Sequence, residues 1–176
     1  MNQLQTPPIQ LYTTIPSPLG EILLARNDRG LTYLNFQEGT HPLPINPAWQ
    51  KDNDVFRETV AQLAAYFAGD LREFDLPLAP QGTPFQLAVW QALQTIPYGR
   101  TLTYSQLAQQ IDNPTAVRAV GAANGRNPIP VIIPCHRVIG ADGSLTGYGG
   151  GLPIKEALLL LEQHGTLQPP KQLSIF

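Results

Sequence analysis

Eighteen prolines spread through 176 residues limit the architecture before any other feature does. A proline fixes φ and removes a backbone donor, so it can open a helix or sit at a strand edge but continues neither. Pro16-Ser17-Pro18, residues 41–47, residues 79–84 and residues 129–134 punctuate the chain in this way. Between them there is room for many short elements joined by fixed turns. No apolar run approaches the roughly 20 residues that a membrane-spanning helix needs. With 43% hydrophobic and 14% charged residues, the chain reads as globular rather than disordered. Its length allows one good core or two small ones.

The segments between the prolines read as α+β. Residues 9–15, 21–25 and 31–36 are separated by turn-rich stretches and predict three short antiparallel strands. Residues 54–69 place Val55, Phe56, Val60, Leu63, Ala64 and Phe67 at helical spacing, with Asp54 as N-cap and Gly69 as stop. Residues 71–78 read as a further strand. The stretch 79–84 reads as a junction, dividing the chain into domains 1–80 and 81–176. Thr83 caps the next helix with Pro84 at its first position. Two short helices follow, about 104–111 and 115–124, joined by Asp112-Asn113-Pro114, which reads as a helix-turn-helix. An apolar run broken by prolines (129–139), a glycine-rich loop (143–151) and a last helix (153–164) complete the pattern, and the tail after Gly165 reads as loosely ordered.

Charge is unevenly divided. Residues 1–80 carry five Lys/Arg against nine Asp/Glu, and residues 81–176 carry six against four. A phosphate backbone would choose the second half, and the small excess predicts modest, salt-sensitive binding. The second helix of the pair groups Arg118 with Gly121, Ala122 and Gly125 on one face. A helix that reads base sequence carries several long polar side chains. This face has one guanidinium and little else, which suits close approach to a partner without sequence choice and insertion of one side chain into a base stack. Close helix–helix packing with Arg118 on the rim fits the same residues.

Cys135 is the single cysteine, so no intrachain disulfide and no cysteine-based zinc site can form. His41, His136 and His164 are isolated in sequence and give no support for a metal site. A lone cysteine beside Ile132 and Ile133 is either core filler or a nucleophile. Pro134-Cys135-His136-Arg137 places a base and a positive charge next to it. On a strand, however, adjacent side chains point to opposite faces, so contact between Cys135 and His136 requires a bend at Pro134 or a bridging water. A base also needs an acceptor to orient it, and Glu162 is a candidate.

Residues 98–162 resemble the C-terminal domain of the O-6-alkylguanine-DNA alkyltransferases, also called methylated-DNA–protein-cysteine methyltransferases. The resemblance rests on Ile133-Pro134-Cys135-His136-Arg137-Val138-Ile139, reinforced by Tyr104-Ser105-Gln106-Leu107-Ala108, Arg118-Ala119-Val120-Gly121, Asn127-Pro128, Thr146-Gly147-Tyr148, and Lys155-Glu156 with Glu162 downstream. It implies an N-terminal RNase H-like α+β domain carrying an antiparallel sheet and helix, followed by a mostly helical domain with the helix-turn-helix and active-site loop. The stand-alone bacterial members are the most similar, since no regulatory domain precedes the match.

The resemblance also implies roles. Cys135 is the alkyl acceptor, His136 acts as base through a water, Glu162 orients His136, and Asn127 holds the turn. Arg118 fills the gap left by the flipped nucleotide, while Thr115, Ala116, Gly121 and Ala122 lie at the DNA. Tyr104 crowds the flipped nucleotide's phosphate and donates a proton to the departing guanine. Tyr148 and Pro130 wall the base pocket, and the carbonyl of Val138 and amide of Cys135 read the base edge. Some members have serine where this chain has Gly149. Only the backbone amide remains there, which predicts acceptance of larger alkyl groups or of alkylated thymine.

The implied function is direct-reversal DNA repair by a single-turnover methyltransferase that uses no cofactor and no metal. Its partner is double-stranded DNA carrying alkylated bases, with little sequence specificity, and the protein acts as a monomer. Residues 1–10 show no basic patch followed by an apolar stretch, so a cytoplasmic protein without membrane attachment is expected. Three other classes compete. An alkyltransferase-like lesion sensor would lack the cysteine that is present here. A cysteine hydrolase would need an acyl pocket and a distant histidine. A helix-turn-helix regulator would need a more polar second helix.

Overall fold

The structure, a computed structural model, describes residues 10–168. Ile9, where the first strand is expected to begin, most of the segment read for a signal, and the tail beyond Gln168 lie outside the described residues. The first three strands form an antiparallel meander in the expected order: β1 (Leu11–Ile15), β2 (Ile22–Asn27) and β3 (Gly30–Phe36). Ile22, Leu23, Leu24 and Ala25 are all fully buried, so the central strand β2 is covered on both faces. That two-sided burial is why β2 reads as a continuous apolar run rather than an alternating one. A two-residue strand, β4 (Gln50–Lys51), adds parallel to β1 and gives the order β3-β2-β1-β4. Its exposed polar residues carry no strand signal in the sequence.

Helix α1 (Arg57–Phe67) follows a 3-10 turn at Asp54–Phe56. Asp54 is not its cap. The 3-10 turn intervenes, and the Asp52 carboxylate accepts the amides of Asp54 and Val55 at its head, at 2.9 and 3.4 Å. Asp54 pairs with Arg57 on the surface instead. Gly69 does end the helix, at φ +83°, and a Cβ there would stand 1.9 Å from the Gly165 carbonyl oxygen. Residues 71–78 are not the expected strand. They meet β3 only at Leu31 and Leu78, through Leu31 N–H to Pro77 O and Ala79 N–H to Leu31 O, each 2.8 Å. Pro77 and Pro80 have no amide hydrogens, so the ladder cannot spread.

The second half begins with α2 (Pro84–Leu93), capped as expected by Thr83, whose side chain accepts from Gln86 N–H while Gln86 returns a bond to Thr83 N–H. Thr103 and Gln106 repeat this box at α3 (Tyr104–Gln110). A turn through Asp112, at φ +57°, leads to α4 (Val117–Gly125). The indole of Trp90 donates to Ala123 O at 2.8 Å and ties α2 to α4. Two-residue strands β5 (Leu102–Thr103) and β6 (Val138–Ile139) pair in parallel and fix the start of α3 beside the 135–139 segment. The last helix, α5 (Leu152–His164), ends at Gly165 with φ +75°.

One apolar core runs through both halves, from Ile22, Leu24 and Phe36 to Trp90, Ile133 and Leu158. A backbone bond from Leu34 N–H to Pro128 O (2.9 Å) joins β3 to the segment just before the cysteine. The sheet therefore serves as a wall against which the cysteine-bearing segment is held. Among the described residues no helix is long and apolar enough to cross a membrane.

Candidate active site

Pro128, Pro130 and Pro134 prevent residues 128–134 from forming a strand ladder. The chain instead turns, and Cys135–Arg137 forms one 3-10 turn with all three side chains buried. The alternation of a strand therefore does not apply to Cys135 and His136. Asn127 pins the approach: its side-chain amide donates to Ile133 O at 2.7 Å, and its carbonyl accepts Ile129 N–H at 3.0 Å. Asn124, from α4, donates to Cys135 O at 3.4 Å. Within this clamp Val131 has φ +73°. A β-branched residue in the left-handed region costs about 1–3 kcal/mol, and the flanking bonds hold it there.

Glu162, on α5, gathers the donors. Its Oε1 lies 2.7 Å from His136 Nε2, accepts the Tyr66 hydroxyl at 2.7 Å, and accepts Arg137 Nη2 at 2.8 Å. Its Oε2 accepts Arg137 Nε at 2.9 Å and Gly99 N–H at 3.1 Å. Arg137 Nη1 donates to Ile96 O at 2.6 Å. The Glu162 side chain is only 1% exposed and that of Arg137 8%, so this is a buried ion pair with most of its hydrogen-bonding positions filled. A carboxylate is an acceptor, so His136 Nε2 carries the hydrogen. In the neutral ring Nδ1 is then the acceptor, and it is buried with no hydrogen-bond partner among the described residues.

The electrostatics follow from this geometry. Burial alone would raise the Glu162 pKa, but hydrogen bonds from His136 and Arg137 outweigh it and hold the carboxyl well below the usual range. Burial lowers the pKa of His136 against the opposing pull of Glu162, which keeps the ring neutral at physiological pH. Burial pushes the Cys135 thiol up to about 11, against the Asn127 amide and the Lys155 charge. The thiol is therefore protonated at rest. Lys155, fully buried on α5, donates to Val138 O at 2.6 Å and Thr146 O at 2.9 Å. Its own pKa is lowered by burial.

A cavity of about 210 Å³ opens on Cys135, lined by Asn127, Pro130 and Gly149 together with Tyr33 and His41 from the first half. Tyr148 is buried nearby, its hydroxyl without a hydrogen-bond partner among the described residues. The Tyr104 hydroxyl donates to Thr146 O at 3.0 Å, which ties α3 to the glycine-rich loop. The Cys135 amide already donates to Ile133 O at 2.8 Å. A Cβ at Gly149 would lie no nearer than 3.6 Å to the Gly125 carbonyl oxygen, so the packing does not require glycine there. A larger cavity of about 640 Å³ flanks Arg137 and Tyr98 and does not include Cys135.

Arg118 and Ala122 on α4 are exposed and Gly121 is half-buried, while Thr115 and Ala116, in the turn just before the helix, are exposed and half-buried. A Cβ on Gly121 would come within 3.8 Å of the Tyr104 ring, in ordinary contact. The structure thus brings Cys135, His136, Glu162, Asn127, Pro130, Val138, Tyr148 and Gly149 to one neighbourhood. It leaves Thr115, Ala116, Arg118, Gly121 and Ala122 on an adjoining outer face. Three participants escaped the sequence reading. Lys155 was visible in principle, since Lys155, Leu158 and Glu162 fall on one face of α5 and a charge among apolar residues on a buried face is a signal. The paired role of Arg137 and the hydroxyl of Tyr66 left no local trace.

Fold and site together define a class: an α+β protein whose sheet domain and helix-turn-helix domain enclose a single protonated thiol. Residues 10–80 match the family described as 6-O-methylguanine DNA methyltransferase, ribonuclease-like domain, and residues 84–164 match its DNA binding domain. A methylated-DNA–protein-cysteine methyltransferase of Methanosarcina acetivorans is 56% identical over 86% of this chain and 97% of its own length. One from Mycolicibacterium paratuberculosis is 50% identical over 94% and 98%. The crystal structure of Mycobacterium tuberculosis OGT in complex with DNA superposes with a TM-score of 0.83 at 52% identity, covering 89% of this chain and 95% of that one. The chain belongs to the methylated-DNA–protein-cysteine methyltransferases, enzymes of direct-reversal DNA repair that transfer a methyl group to a cysteine.

Proposed function

We propose that Cys135 is the alkyl acceptor for O-6-alkylguanine in double-stranded DNA, with His136 as its base. The observation that carries this reading is the tautomer of His136, the residue that follows the chain's one thiol: Glu162 engages Nε2 and leaves the buried Nδ1 without a partner among the described residues and free to take a proton. A thiol with a pKa near 11 is not nucleophilic by itself, so the proton passes to Nδ1 through a bridging water as the lesion is seated. The thiolate attacks the alkyl carbon in line. The sulfur–carbon bond forms as the carbon–O6 bond breaks, and the electron pair leaves on guanine, which takes a proton from the Tyr104 hydroxyl. The thioether has no route to cleavage, so each molecule reacts once. Thiol and lesion suffice, and no cofactor or metal enters.

A base inside the duplex is out of reach of a buried thiol, so the nucleotide must flip, at a cost of a few kcal/mol. In this reading Arg118 enters the stack behind it, and Thr115, Ala116, Gly121 and Ala122 let the α4 backbone approach the phosphates without sequence choice. Pro130 and Tyr148 wall the flipped base, the Val138 carbonyl reads its edge, the Gly149 amide is left to bind the guanine oxygen, and the Cys135 amide, expected at the base edge, must release Ile133 O to reach it. Division of the chain at residues 80 and 81, action as a monomer, and a wider alkyl range at Gly149 belong to the same proposal. Intact-protein mass spectrometry after mixing with a duplex carrying one O-6-methylguanine tests it. One added methyl group, mapped to Cys135, is expected. Tight lesion binding with no mass gain would make the protein a lesion sensor and defeat the assignment.

A further inference from the structure

We infer that Tyr66, in the ribonuclease-like half, is a positioning residue for alkyl transfer: its hydroxyl shares the Glu162 oxygen that holds His136 and thereby sets how readily His136 takes a proton. The inference rests on the reading of His136 as base. Tyr66 lies on α1, 70 residues before His136 and 96 before Glu162. Its ring is fixed by three others, with centroids of Phe74, Phe67 and Tyr98 at 5.2, 5.6 and 6.2 Å. The hydroxyl donates to Glu162 Oε1 at 2.7 Å and lies 3.5 Å from His136 Nε2.

A buried phenol needs an acceptor, and any carbonyl would satisfy it. Tyr66 instead takes the one oxygen that also receives His136 Nε2 and Arg137 Nη2. Three short bonds on one carboxylate oxygen divide its charge, so each donor takes a share of the negative charge that would otherwise favour a protonated His136. Removing the hydroxyl therefore strengthens the pull of Glu162 on His136 and favours the protonated ring. A protonated ring has no acceptor at Nδ1 for the Cys135 proton. The other groups facing this cluster are Arg137 on the same turn, Lys155 on α5, Tyr98 before β5, Tyr148 in the loop and Cys135 itself. The Tyr66→Phe substitution touches none of them and keeps the ring packing.

Single-turnover transfer from an O-6-methylguanine duplex, at saturating protein and across pH, tests this with the full chain. Transfer by the wild-type protein, mapped to Cys135, must come first, and its absence would defeat the reading of the site rather than the role of Tyr66. With transfer established, Tyr66→Phe is expected to move the acid limb of the rate profile upward by up to about one pH unit. Well down the acid limb transfer then slows by up to about tenfold, while rates at high pH converge and lesion affinity is unchanged. In Glu162→Gln, adding Tyr66→Phe leaves the limb where it is. Site-specific 3-fluorotyrosine at position 66 keeps the shape and donates more strongly, so the limb moves the other way, and this serves even where the phenylalanine variant folds poorly. An unmoved limb in both, or an equal loss of rate at every pH with a lower melting temperature, overturns the inference.

Discussion

The outer face of α4 and the interior around Glu162 lie in the same half of the chain and are built on opposite principles. Arg118 stands exposed among small residues, with no side-chain hydrogen bond or ion pair among the described residues. Glu162, by contrast, is held by Tyr66, Gly99, His136 and Arg137, all within 3.2 Å. An exposed side chain without partners can be changed at little cost to folding, so this face is free to serve the role proposed for it. A buried carboxylate cannot lose a partner cheaply, so the chemistry is fixed by the same bonds that fix the fold. Recognition and reactivity should therefore respond differently to mutation, and that separation can be broken or sharpened experimentally.

The largest effect is expected at the thiol. Cys135→Ala should abolish methyl gain by mass spectrometry while lesion-duplex affinity is retained, and any residual protein methylation would contradict the single-acceptor reading. Next comes the interior. Glu162→Ala leaves the Arg137 guanidinium buried without its counter-ion and should cost about 3–5 kcal/mol in urea unfolding. The same change frees the His136 ring from its oriented tautomer and should slow transfer about 10²–10⁴-fold in the fraction that folds. On the outer face, Arg118→Ala should change stability by no more than about 0.5 kcal/mol. Its effect should fall on transfer from duplex DNA, with transfer from a free alkylated base unaffected. A large loss of stability there would erase the contrast.

Solution pH probes the interior. The folded pKa values of His136 and Glu162 both lie below their ordinary values, so the unfolded chain binds protons that the folded chain refuses. Stability from both groups is fully present above pH about 6.5, begins to fall as His136 becomes protonated in the unfolded state, and falls further below pH about 4.5 through Glu162. Urea midpoints should decline from neutral toward acid pH, and a flat profile would mean the cluster is not closed. The smallest effect is expected from Gly149→Ser. The space beside Gly125 O admits a Cβ, so folding should change little. The ratio of benzyl to methyl transfer should fall if Gly149 is what widens the pocket.

Much of this molecule was legible without coordinates. Three strands, the capped helix at Thr83 and Pro84, the stop at Gly69 and the helix pair around Asp112 carry signals within a few residues, because capping, periodicity and proline geometry act locally. Where the reading failed, the cause was also local. Residues 71–78 have the composition of a strand, but Pro77 and Pro80 deny it a ladder, and a 3-10 turn, whose first amides bond Asp52, intervenes where Asp54 was expected to cap α1. In the 133–139 segment the residue types left core filler and nucleophile both open, and it was the family resemblance of Ile133–Ile139 that pointed to reactive thiol chemistry.

By itself the sequence determined the short-element α+β plan, the single thiol and the identity of its neighbours, since each depends on residue type or near spacing. Only the tertiary structure decided that Cys135 and His136 share one turn, that Arg137 neutralises Glu162 instead of facing solvent, and that a tyrosine from the other half completes the cluster. Those outcomes join residues up to 96 positions apart. No local pattern encodes such a meeting, because it arises when the sheet and α5 bury a common core and the polar groups trapped there must find one another.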